Sequence, residues 1–309
     1  MLQPSPSLAD WLKSRGVPHV SPQPGIDLFH GDSKQLLHDL TLDPANPPPC
    51  VDMVLMDPPY GIKYVGMGHH RALANDEAPP VWCIEPSATL LKDDGAMLVC
   101  TRYDVYRWWE DAMEHEKLNI KTPIIWDKQQ WTMGDSASDL RRQNETIMVA
   151  HKGRALLRPW TDERFTADRA KMWSEMSADS LNEIIRLAKD FTADGGTDKS
   201  YLKLREAIED ERTSMDKVVK RDTCLWSIRV PRDKQSQRHP TPKPPELMER
   251  ALLNYTDRGQ LVLDPFMGGG PVGVAAVRQG RHYLGIELDA EYFGYAVENI
   301  TRAVEDQWQ

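Results

Sequence analysis

Short apolar runs alternate along this chain with turn residues and with segments of helical spacing. Ile26-Asp27-Leu28-Phe29-His30 predicts a strand, Gly31-Asp32-Ser33 a turn whose Asp or Ser caps a helix, and Lys34 to Leu40 that helix. Val51 to Met56 predicts a buried strand that stops at Asp57-Pro58-Pro59-Tyr60, because two successive prolines remove backbone donors and bar continuation as helix or sheet. After an aperiodic stretch, Gly61 to Pro80, expected to be a long mobile loop, the pattern predicts a helix from Val81 to Leu91. A strand Ala96 to Thr101 after Asp94-Gly95, a helix from Tyr103 to about Lys117, and strands Thr122 to Trp126 and Glu145 to Ala150 come next. Between Arg154 and Arg221 the rhythm changes: Leu181, Ile184, Ile185, Ala188 and Phe191 fit a helix, as do Tyr201, Leu204, Ile208 and Met215, with Gly195-Gly196 between. Strand spacing returns at Leu225 to Ile228, followed by a helix from Pro245 to about Tyr255 and a strand Leu261 to Asp264. The glycine-rich Phe266 to Gly270, a helix Val272 to Gln279 and a strand His282 to Ile286 complete the series, with Glu287 at the end.

This alternation predicts an α/β fold, doubly wound around a mostly parallel sheet with helices on both faces and a helical insert. The segments are a flexible arm over 1–25, a first half over 26–153, the insert over 154–222 and a second half over 223–309. The proline-rich arm carries only a short amphipathic piece at Leu8, Trp11 and Leu12. Trp108, Trp109, Trp126, Trp131 and Trp226 fall mostly at core positions.

A length of 309 residues suits one α/β domain with an inserted region. No run approaches a membrane span of roughly 18 to 20 apolar residues, and Met1 to Asp10 lacks the features of a signal peptide, so a cytoplasmic protein is expected. Cys50, Cys83, Cys100 and Cys224 are scattered, which favours reduced thiols, the three in or near apolar stretches structural, over a disulfide framework or zinc site. His69-His70 has no second ligand cluster at suitable spacing, so no metal is expected.

A net charge of -9 is unfavourable for phosphate contact as a sum, but the charge is unevenly distributed. Arg141 to Lys171 holds eight basic and four acidic residues, and Lys217 to Lys243 eight and two, while Glu175 to Asp216 holds six and eleven. Any one such run suits a solvated face; two basic segments flanking an acidic one also suit a positive cleft.

Two constellations carry chemistry. In Asp57-Pro58-Pro59-Tyr60 a carboxylate, proline-flanked carbonyls and a phenol ring are held together, which suits a planar base bearing an exocyclic amine, gripped in its plane and stacked on its face. By itself the tetrapeptide is equally a stiff turn after a core strand. The second is a strand, a glycine-rich turn, a helix, a strand and an acid, with Glu287 lying 23 residues after Asp264, near the spacing of an acid that binds ribose hydroxyls. Its glycine loop departs from the dinucleotide fingerprint and points to a single adenosyl group.

These residues resemble the S-adenosylmethionine-dependent amino-methyltransferases that act on adenine N6 or cytosine N4. Asp57 to Tyr60 is similar to their motif IV, Arg238-His239-Pro240-Thr241-Pro242-Lys243-Pro244 to motif X, and Asp264 to Gly270 to motif I. The order, with a variable region between the first and the others, is that of the permuted β class. The resemblance runs from Ile26 to Ile300 and thins to nothing over Arg154 to Arg221. It implies a seven-stranded, Rossmann-like methyltransferase sheet, with catalytic and cofactor-binding halves on either side of a target-recognition insert.

The implied donor is S-adenosyl-L-methionine. Its adenine is assigned to the acid of Gly31-Asp32, its ribose to Glu287, and its methionine carboxylate to Thr241 and Lys243. His239, Asp264, Phe266, Gly268, Gly270 and Asp57 complete the implied cofactor set. Arg142 to Glu145 and Lys152-Gly153 fall where the family closes its last core strands. One departure is Gly269-Gly270-Pro271-Val272 in place of a Ser-Gly-Thr-Thr, which removes hydroxyls but leaves backbone amides.

The implied reaction flips a base out of duplex DNA, with Asp57 and the Pro58 carbonyl accepting its amino hydrogens, Tyr60 stacked on the ring and Pro59 stiffening the turn. Asp rather than Ser at position 57 favours adenine over cytosine. The expected partner is double-stranded DNA, met by Lys63, Tyr64, His69 and Arg71 near the clamp and by Arg158, Arg164, Arg169 and Lys171 of the insert. A cognate restriction endonuclease and a homodimer are left open, as is a catalytically silent nucleic-acid-binding partner of the same fold. Relatives acting on RNA or on a glutamine amide usually carry Asn at position 57.

Overall fold

A computed structural model of the chain describes residues 7–43, 49–63, 76–132, 142–153, 222, 224–230 and 243–307. The chain divides into two compact units, Met1–Leu157 with Thr223–Gln309, and Arg158–Asp222. Of the second only Asp222 is described, so the helical stripes expected there lie outside the described residues.

Among the described residues the first unit is built on one sheet of ten strands. In chain order they are β1 His19–Gln23, β2 Ile26–His30, β3 Val51–Met56, β4 Leu91–Thr101, β5 Asn119–Ile120, β6 Ile124–Thr132, β7 Arg142–His151, β8 Leu225–Ser227, β9 Leu261–Asp264 and β10 His282–Glu287. Their spatial order is β1-β2-β10-β9-β3-β4-β7-β6-β8, with β5 also paired to β7. The expected seven strands are the central row from β2 to β6, and short β1, β5 and β8 are added around it. Strands β2, β10, β9, β3 and β4 run parallel, while β7 runs antiparallel to both β4 and β6.

Both faces of the sheet are covered, which is why β3 and residues 96–100 of β4 are nearly continuous apolar runs. Met53, Leu55, Leu98 and Cys100 point into one core with helices α5 Pro245–Tyr255, α6 Pro271–Gln279 and α7 Ala290–Asp306. Val54, Met56, Met97 and Val99 point into the other with α1 Leu8–Ser14, α2 Ser33–Leu42, α3 Ile84–Leu90 and α4 Tyr106–His115.

The flexible arm expected over 1–25 does not hold for its described part. Leu8, Trp11 and Leu12 are each 2 % exposed and lie in the core with Phe29, Leu37 and Leu40. Trp11 Nε1 donates to Asp43 Oδ2 at 3.0 Å, Lys13 pairs with Asp27 at 2.7 Å, and β1 pairs antiparallel with β2. A three-residue apolar stripe is too short to signal a helix in sequence, yet it is enough to cover one edge of a core.

Asp94-Gly95 lies inside β4 and not before it, as an irregularity that shifts register against β3 and sets Asp94 at φ +66°. The helix α7 was not expected; Asp289 caps it, and Ala296, Ile300, Ala303 and Val304 form its buried face. Trp109, Trp126 and Trp226 are core residues as expected, but Trp108 is 56 % exposed, since its neighbour Trp109 takes the inward face of α4. No helix among the described residues is long and apolar enough to cross a membrane.

Candidate active site

Strands β9 and β3 are parallel neighbours, with Met53 opposite Val262 and Val54 opposite Leu263, as expected for the two strands ending at Asp264 and Asp57. From β9 the chain winds through α6 to β10 on one side, and from β3 through α3 to β4 on the other. This is the switch of strand order, where an α/β sheet opens a crevice at its carboxyl edge. Glu287 and Asp264 end their strands, and Asp32 and Asp57 come just after theirs, on four adjacent strands along that edge.

On the glycine side, the carboxylates hold the turn that faces the crevice. Glu287 accepts from the Gly268 amide at 2.7 Å and the Asp289 amide at 2.8 Å. Asp264, almost fully buried, accepts from the Phe266 amide and the Tyr283 hydroxyl, each at 3.1 Å. Burial raises both carboxyls, Asp264 to about 8. Gly270 sits at φ +82° before α6, where a Cβ would come within 3.2 Å of the Ala296 backbone, so α7 packs directly on this turn. Asp32 caps α2 by accepting from the Lys34 amide at 2.9 Å and remains beside the end of β10 through the Gly31 to Glu287 backbone bond.

On the other side, the tetrapeptide is part of a buried ionic cluster. Lys243 Nζ lies 2.7 Å from Asp57 Oδ2 and 3.3 Å from Glu145 Oε2, and Lys128 Nζ lies 3.1 Å from Glu145 Oε1. The Tyr60 hydroxyl is 2.9 Å from Asp57 Oδ1 and 3.0 Å from Glu145 Oε2, so one phenolic proton serves two carboxylates. Two acids are balanced by two ammonium groups, as buried charges require.

Burial opposes charge on Lys243, but Asp57 and Glu145 outweigh it and hold the ammonium above the ordinary lysine range. Burial likewise works against ionised Glu145, yet Lys243 and then Lys128 bring it below the usual carboxylate value. At Asp57 burial prevails, assisted by Glu145 and opposed by Lys243, and its carboxyl is raised. Burial and both carboxylates push the Tyr60 phenol well up, so it acts as a donor and not as an anion. The side chain of Lys243 is 3 % exposed against 17 % for Asp57 and 19 % for Glu145, so the ammonium is sealed and the two carboxylates are partly open.

The chain after Tyr60 is fixed by Asp76, whose Oδ1 accepts from the Gly61 amide at 2.6 Å and the Ile62 amide at 3.3 Å. Gly61 lies at φ +73°, and a Cβ there would fall 2.6 Å from the Pro79 nitrogen. Lys63 donates its amide to the Asp76 carbonyl at 2.8 Å, and the mobile loop expected between them lies, over residues 64–75, outside the described residues.

His239 and Thr241 lie outside the described residues, as do Tyr64, His69, Arg71, Arg158, Arg164, Arg169 and Lys171. Lys243, which the resemblance assigns to the methionine carboxylate, is committed here to Asp57 and Glu145. Lys128, Tyr283 and Asp76 were not singled out in the sequence, and Glu145 was placed only at the start of a core strand and given no role at the site. An acid just before the apolar Ile147-Met148-Val149-Ala150 run was the available signal for Glu145. Among the described residues no three His, Cys, Asp or Glu side chains gather as metal ligands.

Residues 51–298 match the model of the N6/N4 DNA methylase family, which covers the tetrapeptide, Lys243, the glycine turn and Glu287. The chain belongs to this family. It is an amino-methyltransferase of DNA, and the family uses S-adenosyl-L-methionine. The type II methyltransferase M2.LlaDCHI of Lactococcus lactis subsp. cremoris is 24% identical over 291 residues, 89% of each chain. The type II methyltransferase M2.DpnII of Streptococcus pneumoniae is 41% identical over 80 residues, 26% of this chain and 30% of that protein. Among solved structures, the complex of M1.HpyAVI with S-adenosylmethionine has a TM-score of 0.56 at 20% identity, covering 88% of this chain and 98% of the other. The cytosine-N4-specific PvuII DNA methyltransferase has a TM-score of 0.55 at 14% identity, covering 90% of each. Both share the fold with this methyltransferase.

Proposed function

We propose that this DNA methyltransferase modifies the N6 amine of adenine in double-stranded DNA. The supporting observation is Asp57: a partly exposed acid at the end of β3, braced by Lys243 and Tyr60, next to the acid-lined end of β9 and β10. An exocyclic amine presents two hydrogens in the base plane, and a fixed carboxylate with a neighbouring proline carbonyl is a matching pair of acceptors. Holding those hydrogens keeps the nitrogen lone pair directed toward the incoming methyl. Tyr60, kept neutral, offers its ring face to the base.

The residues present fit the donor. Asp57 and Glu287 set carboxyl oxygens along the crevice that suit a sulfonium cation, Asp264 braces the glycine turn through the Phe266 amide, and the turn from Gly268 to Gly270 brings backbone close to a ligand. Asp32 and Glu287 would meet the adenosyl group, with Phe266 beside it, and His239 and Thr241 would join from the segment before Lys243. S-adenosyl-L-methionine supplies an electrophilic methyl group on a positively charged sulfur. Positioning of the amine by Asp57, Pro58 and Tyr60 then supplies most of the rate.

An adenine amine is buried in the duplex stack, so the base must be flipped out at a cost of a few kcal/mol. The insert over 154–222, with Arg158, Arg164, Arg169 and Lys171, is the proposed reader of the target, and Lys63, Tyr64, His69 and Arg71 the contacts beside the flipped base.

Incubation with methyl-labelled cofactor and duplex DNA, followed by nucleoside analysis, tests the assignment. N6-methyladenine is the expected product; N4-methylcytosine would reassign the base. Label on RNA or protein but not on DNA would overturn the reading.

A further inference from the structure

Glu145 is placed at the site by strand direction. Because β7 runs antiparallel to β4, its first residues lie at the edge where β3 and β4 end, with Thr146 opposite Thr101. Its carboxylate meets the same two groups that hold Asp57, the Tyr60 hydroxyl and the Lys243 ammonium, and it is itself held by Lys128. Tyr60 and Lys243 already meet the two Asp57 oxygens, Oδ1 and Oδ2, and each is shared with Glu145; were Glu145 neutral, both would turn wholly to Asp57.

We propose that Glu145 is a positioning residue of the amine clamp, which draws the Tyr60 proton and the Lys243 charge partly away from Asp57 and so leaves that carboxylate available to the substrate amine. The inference rests on the reading of the site as an amine methyltransferase. In that reaction the methylated nitrogen carries one proton too many; its N–H bond breaks with the electron pair kept on nitrogen, and the proton bonds to a carboxylate oxygen of Asp57. A carboxylate relieved of part of its cation accepts that proton more readily.

The groups facing Asp57 are Lys243, Tyr60 and Glu145, the Cys100 thiol on β4, which burial keeps protonated, and Asp264 on β9. Among the described residues the groups facing Glu145 are Lys243, Lys128 and Tyr60, with Asp57 and the protonated Cys100 thiol beyond them. Removing the Glu145 charge leaves Lys243 acting on Asp57 alone, so Asp57 ionises at lower pH.

The experiment is single-turnover methyl transfer to duplex DNA as a function of pH, with cofactor affinity measured alongside, for the wild type, Glu145→Gln and Glu145→Asp. Glu145→Gln is expected to lower the rate by roughly 10²-fold, the cost of a small misplacement at a reacting centre. Cofactor affinity is expected to be retained, and the acid limb of the profile to move to lower pH. Glu145→Asp keeps the charge but sets it one methylene back; its rate falls while its acid limb stays, which tests the proposal even if the Gln variant does not fold. A wild-type rate and limb in Glu145→Gln would overturn the proposal, as would a rate loss explained by lost cofactor affinity or by a displaced limb in Glu145→Asp. A wild type that transfers no methyl to DNA would overturn the functional reading itself, and the inference with it.

Discussion

At the scale of single residues, the site is held by charges whose partners are few and named. Lys243 is the only described cation within reach of Asp57, and it also neutralises Glu145. Lys243→Met would leave two buried carboxylates short of one cation, and a loss of about 3–5 kcal/mol in denaturant unfolding is expected. A lysine whose sole task was to hold the cofactor would instead cost cofactor affinity and leave stability unchanged. Asp57→Asn keeps the shape but weakens the acceptor, and a drop in kcat of about 10²-fold or more with cofactor affinity retained is expected in steady-state assays.

Asp264 gives a pH dependence of defined sign. Its folded carboxyl holds its proton up to about 8, against an ordinary value of 3.8, so the native state binds more protons than the unfolded chain between those values. Its contribution to stability is complete below the lower value and is lost as pH rises through the upper one. Asp264→Asn should flatten that decline, as followed by thermal unfolding between pH 5 and 8.

At the scale of elements, the strand and helix alternation was largely legible because each piece carries its own period and punctuation. Proline stops at Pro58-Pro59, glycine turns and acidic caps such as Asp32 are local signals, and they marked β2, β3, α2, α6 and β10 within a residue or two. Elements whose formation depends on a partner were less visible. Helix α1 has seven residues, too few for independent stability, and exists because Trp11 and Leu12 find a core edge. Trp11→Ala should therefore cost about 3–5 kcal/mol in equilibrium unfolding, as for a core aromatic, whereas a loose arm would show almost no change. The extension of β4 back to Leu91 was hidden for a similar reason: Asp94-Gly95 carries a turn signal, and pairing of Leu91 with Val51 overrides it.

At the scale of the whole molecule, a chain of net charge -9 must present its basic residues unevenly to meet DNA. If Arg158, Arg164, Arg169 and Lys171 contact phosphates, replacing each by Ala should weaken binding to all sequences alike. The slope of log affinity against log salt should fall by about one for each contact removed. A residue that reads a base edge would instead relax specificity at one position of the site.

The sequence by itself determined the chemistry on offer: an acid, two prolines and a tyrosine after a buried strand, and a glycine turn followed at the right distance by an acid. Those signals are local in the chain, and their order along it identified the family. Only the tertiary structure decided how the groups are used. The antiparallel course of β7 brings Glu145 to the carboxyl edge of β3, and the segment before α5 brings Lys243 to Asp57 from 186 residues away. A buried charge is specified by what stands opposite it in space, and neither strand direction nor a contact across that distance is encoded in local spacing.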